Sequence, residues 1–583
     1  MKLFCYNQLT IIALFAIICY GCSAPKNHEL VILNTNIIDV RTGEIIPYQS
    51  VAIDGDTISM IYNGNVETTA STKTLDGSEK YLIPGLWDMH VHHNSNYKDT
   101  NPLLIANGII GVREMWGNMY VHDKIKKGIA DGTMDVPDVY TGSVIIDGKR
   151  PYWPGSIGVG NAQEARKVAL EQIESGVDFL KVYSLLNKES FDAIAEVANK
   201  KGVPFAGHVP DMVTIQHTAK MGMASAEHFY GLLYGASSKR DSLLNAGVTE
   251  FKNIDLMVST FSQEAFDSLC QILVEEDLWL SPTLVTNKGA AFKTDEDYID
   301  DDRIEYMNIN MIAWWKLDSA TLADPRTQER ARQEKKSFDF TLPLVGKMHK
   351  KGVRFLAGSD YPNPFCFPGF SLHDELALMV EGGMNNLAAL QTATLNPAIF
   401  MQKEAKYGGI DIGKKASLVL LDKNPLEEIK NTISINAVIL RGKLFTRQTL
   451  DNMLATVKKK VEMPMYSEWL MPNIQQYGIE KAIDSLDLLL ASKTSSYRLA
   501  EMDFNIMGYE LMQQGLMPEA LKVLEKNTRL FPDEFNTYDS YAEALFYMQE
   551  FEKAKENYEK ASALNPYYTN GQVMIDSISK MEN

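Results

Sequence analysis

Cysteine is scarce in this chain of 583 residues: five in all, three of them within the first 22 positions. The other two, Cys270 and Cys366, lie far apart and in no CxxC pair. That excludes a disulfide framework and a cysteine-based zinc site in the body of the protein. Histidine is sparse too, with ten residues. Basic charge is in deficit: 57 Lys and Arg stand against 75 Asp and Glu, a net charge of −18. A surface this acidic repels phosphate backbones, so no nucleic-acid partner is expected. What is present is globular. The 45% hydrophobic and 23% charged content belongs to chains that bury a sizeable core. The length calls for several domains and leaves room for a barrel enzyme as one of them.

The first residues read as a targeting segment. Lys2 gives a positive start, residues 9–18 are apolar except Thr10, and Cys19-Tyr20-Gly21-Cys22 follows. The apolar run is short for a membrane span and suits a signal sequence. Gly21-Cys22 resembles a bacterial lipoprotein box, with Cys22 as the lipidated first residue of the mature chain. Cys19 and Tyr20 depart from the small or aliphatic residues usual there; an uncleaved anchor or an ordinary secretion signal is the alternative. The expectation is a signal peptide over 1–22 and an exported protein of the bacterial cell envelope. Its N-terminal lipid would anchor it to the membrane.

From residue 30 short β-rich runs (31–33, 36–40, 51–53) alternate with turn residues such as Thr42-Gly43 and Asp54-Gly55. A second β-rich block spans about 408–446. The two blocks predict one small composite β domain over 30–82 and 408–447, a β-sandwich built from both ends. Between them, strand-like runs alternate with helical stretches such as 162–174 and 188–200, the pattern of a parallel sheet. Eight strands are predicted, at 85–92, 109–114, 139–146, 178–183, 203–208, 225–228, 278–285 and 353–360. The fold class is therefore α/β, a (β/α)8 TIM-like barrel over 83–407. Residues 231–275 and 287–350 exceed a normal connection and predict helical insertions of the kind that form lids.

The C-terminal region, 470–583, is predicted to be all-α. Gly508, Leu511, Ala520 and Pro532 recur 34 residues later as Ala542, Leu545, Ala554 and Pro566. The period and the small residues resemble the tetratricopeptide repeat; a plain helical hairpin is the alternative. Two clear copies are few for a free-standing solenoid, so these helices should pack on the barrel or bind a peptide or protein partner.

The chemistry concentrates at strand ends. His90 and His92, two apart on a strand, point to the same face and can reach one metal. Alone, such a pair is as often two unrelated histidines. However, His208, His228, Asp360 and Lys181 also fall at or near ends of predicted strands, where barrels build their active sites. Four of ten histidines at such positions point to a metal site. Lys181 could instead be an interior lysine paired to a carboxylate. Tyr183, Tyr230 and Tyr361 each follow a candidate ligand and could touch substrate or simply pack. Arg113 could meet a substrate carboxylate or pair with Glu114 or another acid. His93 should point away from the metal pair, into a supporting position or to solvent.

At this point the chain resembles the amidohydrolase superfamily, closest to its imidazolonepropionase-like and prolidase-like branch. The resemblance runs from about residue 30 to 447. Its matching pieces are PGLWDMHVH (84–92), GVDFLKVYS (176–184), AGHVP (206–210), AEHFYG (226–231), LAGSDYP (356–362), ATLNPA (393–398) and GGIDIGKKASLVLLDKNP (408–425). The resemblance implies two divalent metals, zinc foremost, with manganese, cobalt or iron also suited to nitrogen and oxygen donors. His90, His92 and Asp360 would hold one ion, His208 and His228 the other. A carbamate on Lys181 would bridge them. It further implies hydrolysis of a C–N bond (amide, peptide or lactam) in a small-molecule substrate by a metal-bridging hydroxide, with Asp360 shuttling the proton. A dipeptidase or N-acyl amino acid amidase fits. A one-metal deaminase of the same superfamily is the alternative, although Asp211 stands where such enzymes carry Glu. A catalytically retired envelope scaffold acting through its repeats is the alternative from another class.

Overall fold

The run Leu418–Leu421 shows how the first sheet is buried. Leu418 and Leu420 join one apolar cluster with Leu30, Ile32, Val51 and Ile439. Val419 and Leu421 face the main core with Ile83 and Val438. Successive side chains of a strand point to opposite faces, so four apolar residues in a row mark a strand covered on both. In the computed structural model, which describes residues 27–94, 97–250, 253–492 and 496–581, this strand lies between Tyr81–Pro84 and Ile435–Leu440, antiparallel to each. The complete sheet has eight strands in the order 443–446, 435–440, 418–421, 81–84, 30–38, 45–54, 57–63, with 73–76 also paired to 30–38. Both ends of the region thus enter one sheet. Residues 1–26, Cys22 among them, lie outside the described residues.

The segment between them is mixed α/β with parallel strands. Leu86–Val91, Ile109–Glu114 and Asp138–Thr141 form one sheet. Ile157–Val159, Ile146–Gly148, Leu180–Val182, Phe205–Gly207, Ser225–Glu227 and Trp279–Ser281 form another. Parallel bridges join Gly142 to Phe179, Leu280 to Phe355 and Tyr361 to Val91. Helices occupy the connections. Ala162–Glu174 and Lys188–Lys201 start at Asn161 and Asn187, whose side chains accept the Glu164 and Ser190 amides, the usual cure for unpaired N–H groups at a helix start.

Three segments differ from the sequence expectation. Residues 139–146 are not one strand: the Gly142 amide bonds Glu114 O and the next amide, Ser143, bonds Phe179 O, so the chain changes neighbour there. Strand 278–285 stops at Ser281, because Thr283 is left-handed and helix Leu284–Phe292 begins. Residues 353–360 run extended with no regular ladder. The Leu356 amide donates to Leu280 O, Ala357 to Thr392 O, Ser359 to the Asp88 carboxylate and Asp360 to His90 O.

The insertions at 231–275 and 287–350 are helical, the longest helix being Pro325–Thr341. After the last strand comes helix Arg447–Glu462, in which Lys458 pairs with Glu305 and Lys460 with Asp99, each at 2.5 Å. Seven further helices follow, from Tyr466–Tyr477 to Asn570–Met581. Glu501–Gln513 packs on Met517–Leu530, and Phe535–Tyr547 on Phe551–Leu564. The repeated small residues lie inside: Gly508, Ala520, Ala542 and Ala554 are buried. A Cβ on Gly508 would stand 2.4 Å from Leu524. Cys270 and Cys366 are free and buried. Among the described residues no helix is long and apolar enough to cross a membrane.

Candidate metal centre and its cavity

His90 belongs to Leu86–Val91 and is fully buried; His92 follows that strand and is partly exposed. Asp360 reaches them from 353–360, its Oδ1 3.3 Å from His90 Nε2 and 3.2 Å from His92 Nε2. These three side chains offer ligand atoms all within 4.8 Å of one another. The close approach depends on Gly358, where a Cβ would meet His90 Cβ at 2.6 Å. Asp360 has φ +55°, a conformation that Asp and Asn tolerate better than most residues.

His228, with φ +61°, follows Ser225–Glu227 and brings Nδ1 to 3.7 Å from Asp360 Oδ2. Its ring lies 4.6 Å from that of His90 and 4.9 Å from that of His208. Lys181 stands mid-strand in Leu180–Val182, fully buried. The neighbouring strand fits against it through Gly207, whose φ is +140° and whose hypothetical Cβ would lie 2.1 Å from Val182 O.

Supporting groups orient these rings, as is usual around metal ligands. Glu227 contacts His90 Nδ1 at 2.7 Å. Ser184 contacts His208 Nδ1 at 2.8 Å and Thr283 contacts His228 Nδ1 at 2.6 Å. Asp88 accepts from the amides of Ser359 and His90 and from Ser359 Oγ, tying the two ligand-bearing segments together. Glu114 accepts the amides of His93, Asn94 and Trp116 and fixes the loop after His92.

Burial shapes the charges. It pushes His90 and His208 well below the ordinary imidazole value and His228 down to about 3, so the rings are neutral, the form that ligates metals. Burial also pushes Lys181 down to about 8, and Asp88 and Glu114 up to about 7. His90 Nε2, His92 Nδ1, Asp360 Oδ1 and Lys181 Nζ are buried with no hydrogen-bond partner. Orphaned polar atoms inside a protein are costly. Three of these four belong to side chains with metal-ligating chemistry, so the donor set fits divalent cations.

Two residues that the sequence left open between substrate and packing are turned inward. Arg113 is fully buried beneath the site: its Nη2 donates to both Glu227 oxygens at 2.9 and 3.0 Å, Nη1 to Ser225 and Nε to Met89 O. Its partner is Glu227, on a strand the sequence did not connect to it. Tyr361 is also buried, with its hydroxyl 2.8 Å from His93 Nδ1. His93 is thus a buried supporting residue. Tyr183 and Tyr230 do line the cavity. Tyr183 stacks on His208 with centroids 3.9 Å apart and accepts a hydrogen bond from Trp153 Nε1 at 2.7 Å. Tyr230 meets His208 edge-on at 4.5 Å.

The cavity over this cluster measures about 2250 Å³. His92, His208, His228 and Asp360 form its floor. Trp116 and Trp153 stand above them, and insertion 284–341 forms one side. Residues 460–468, 498–506 and 531–536 of the C-terminal region line the cavity as well. Sequence reasoning missed Glu227, Ser359 and the tryptophans; it expected the C-terminal helices to pack on the enzyme body or bind a partner, without placing them in this cavity. Only Glu227 left a trace, as the acid preceding His228.

Residues 294–445 match the model of the amidohydrolase family. Ochratoxinase from Aspergillus niger is 23% identical over 419 residues, covering 62% of this chain and 75% of that protein. Among solved structures, a bottromycin amidohydrolase aligns with TM-score 0.58 and 21% identity over 74% of this chain and 90% of its own. A Xaa-Pro dipeptidase with bound methionine aligns with TM-score 0.54 and 20% identity over 72% and 99%. At such identities these structures establish the fold: from the composite sheet through the parallel strands, this chain is folded as they are. The match at 294–445 covers Asp360 and the return into the sheet, and the histidines and Lys181 lie outside it.

Proposed function

We infer that the protein is a metal-dependent hydrolase of C–N bonds, of the amide, peptide or lactam kind, with dipeptides and N-acyl amino acids as the first substrate classes. The observation that carries this is the cluster of His90, His92 and Asp360, whose ligand atoms lie within 4.8 Å of one another beside a cavity that His92 and Asp360 line, with Lys181 Nζ buried and without a hydrogen bond. The fold shared with amide-cleaving neighbours and the family match at 294–445 support it. The three bridges that link the parallel sheets support a (β/α)8 barrel.

In this reading His90, His92 and Asp360 would hold one divalent ion and His208 and His228 a second, zinc foremost. Such ions would supply Lewis acidity toward the scissile carbonyl and lower the pKa of a shared water. The chain's own residues do the rest. Neutral Lys181, favoured by burial, adds to CO2 with loss of a proton and becomes an anionic carbamate that spans the two positions. Asp360 accepts the water's proton and returns it to the leaving nitrogen. Its carboxylate is fixed for that task by the Gly358 approach to His90. Tyr183 and Tyr230 border the carbonyl, and the tryptophans limit water.

The test is metal analysis with mass spectrometry of residue 181, followed by a screen of dipeptides, N-acyl amino acids and lactams. Two ions per chain, a carbamate at Lys181 and turnover are expected. One ion and an unmodified lysine would favour the one-metal deaminase, a reading helped by His90, His92 and Asp360 closing on a single position. We further read the chain as a lipoprotein modified at Cys22. Loss of lipid labelling in Cys22→Ala is the expected result. The repeated residues of 501–566 are read as tetratricopeptide-like.

A further inference from the structure

The rim of the cavity carries large apolar side chains that no core claims. Leu499, Met502 and Ile506, at and just before helix Glu501–Gln513, are 38%, 54% and 45% exposed. In the same lining, Ile309 and Trp314 of the insertion are 70% and 45% exposed. All five line the same cavity as His92, His208 and Asp360, and none packs into a hydrophobic cluster of the barrel or the helices. Exposed apolar groups gathered in one cavity mark a binding surface.

This rim is held over the floor by specific contacts. Asp99, beside the mouth, pairs with both Lys460 and Arg498. Glu534 pairs with Lys124 at 2.8 Å and Lys98 at 3.2 Å, and Tyr120 meets Phe535 edge-on at 5.0 Å. The helices are therefore part of the cavity, which at about 2250 Å³ is more than twice the ~300–1,000 Å³ typical of a small-ligand site. Amides stand among the apolar residues: Asn310, Asn308 beside its bond from the Met311 amide, and Asn536 beside its bond to Glu501. To the amide hydrogens and oxygens left over, a peptide backbone offers hydrogen bonds and a fatty chain offers none.

We propose that the C-terminal helices and the 284–341 insertion form a distal subsite for an extended peptide, binding apolar side chains several residues from the bond cleaved. This rests on the C–N hydrolase reading and names its substrate class. The five exposed side chains are the specificity determinants.

The experiment uses the full-length, metal-loaded protein with the dipeptide Ala-Leu and with pentapeptide extensions carrying Leu-Phe or Ser-Ser in the added positions. Wild type should prefer the Leu-Phe pentapeptide. In Met502→Ser/Ile506→Ser the ratio of kcat/KM for that peptide to kcat/KM for Ala-Leu should fall about tenfold, the scale of losing two partly buried apolar contacts. Leu488→Ser, on the same helical region but outside the cavity, should leave the ratio unchanged. Binding of the pentapeptides to metal-free protein is read in parallel by tryptophan fluorescence. If Leu-Phe peptide binds wild type and not the double variant but nothing is hydrolysed, the subsite stands and the hydrolase reading falls. If peptides are cleaved with no preference for length or apolar extension, the subsite is overturned and the hydrolase reading stands. Preference for an N-lauroyl amino acid over every peptide also overturns it.

Discussion

At and beneath the floor of the cavity, Asp360, His90 and Lys181 are buried and placed by neighbours on several strands. Leu499, Met502 and Ile506 at its rim stand exposed at a helix whose neighbouring segments are tied to the α/β region by ion pairs such as Glu534 with Lys98 and Lys460 with Asp99, each with an exposed partner. The floor is over-determined: Glu227 alone links His90, Arg113 and Ser225. The rim is under-determined, with apolar surface offered and few side-chain bonds to fix it. A site of this kind separates chemistry, which needs fixed geometry, from selection, which tolerates adaptable surfaces.

The sharpest way to break that contrast is at Asp360. Asp360→Asn keeps a residue that accepts positive φ and removes the proton acceptor, so hydrolysis should fall by roughly 10²–10⁴-fold while circular dichroism is unchanged. An active Asn variant would mean the floor is not where bonds are broken. Glu227→Gln comes next. It leaves the Arg113 guanidinium buried with its charge uncompensated, which typically costs about 3–5 kcal/mol, and it loosens His90, for which metal affinity should drop ~10–100-fold. Denaturant melts and metal titrations read both effects. In Arg113→Met/Glu227→Gln most of the stability should return while the weaker metal binding persists.

Glu375 joins floor to rim. It is buried and accepts the amides of Leu284 and Val285, at the start of the helix that opens the insertion. Burial pushes its carboxyl from the ordinary 4.5 up to about 8. The folded protein therefore holds this proton more tightly than the unfolded chain. Stability is greatest below about pH 4.5 for this group and falls as the pH rises toward 8, with a slope of at most ~1.4 kcal/mol per pH unit. Glu375→Gln keeps the acceptor and removes the titration. Melts of metal-free protein across pH 5–8 should be flatter in the variant, and an unaltered slope would remove Glu375 from the account.

The same contrast explains what the sequence could tell. His90, His92, Lys181, His208, His228 and Asp360 were legible because strand period and strand ends are local properties, and each sits within a few residues of the pattern that reveals it. The sheet built from 81–84 and 418–421 was legible because two β-rich blocks need a partner face. Arg113 stayed open between a substrate carboxylate and an acid of the chain because its partner Glu227 lies 114 positions away and only the fold brings them together. The segment 353–360 was read as a strand although its amides bond four different neighbours; apolar composition cannot report that. The rim was invisible for the same reason: nothing near residue 502 says that Glu534 will find Lys124 on the barrel.

That docking contact is also the smallest effect to test. The Glu534 side chain is 24% exposed, Lys124 29% and Lys98 64%, so the pairs are solvent-screened and worth no more than ~1 kcal/mol together. Glu534→Ala should barely move the melting curve. It should instead loosen the rim, seen as faster proteolysis within 501–564 and a weaker preference for the Leu-Phe pentapeptide. Raising salt from 0.05 to about 0.5 M should reproduce part of this in wild type and add little in the variant, since screening removes what the mutation has already removed. Equal proteolysis of both proteins would show that Tyr120, Phe535 and the Asp99 pairs hold the rim unaided. The rim would then be as firmly built as the floor.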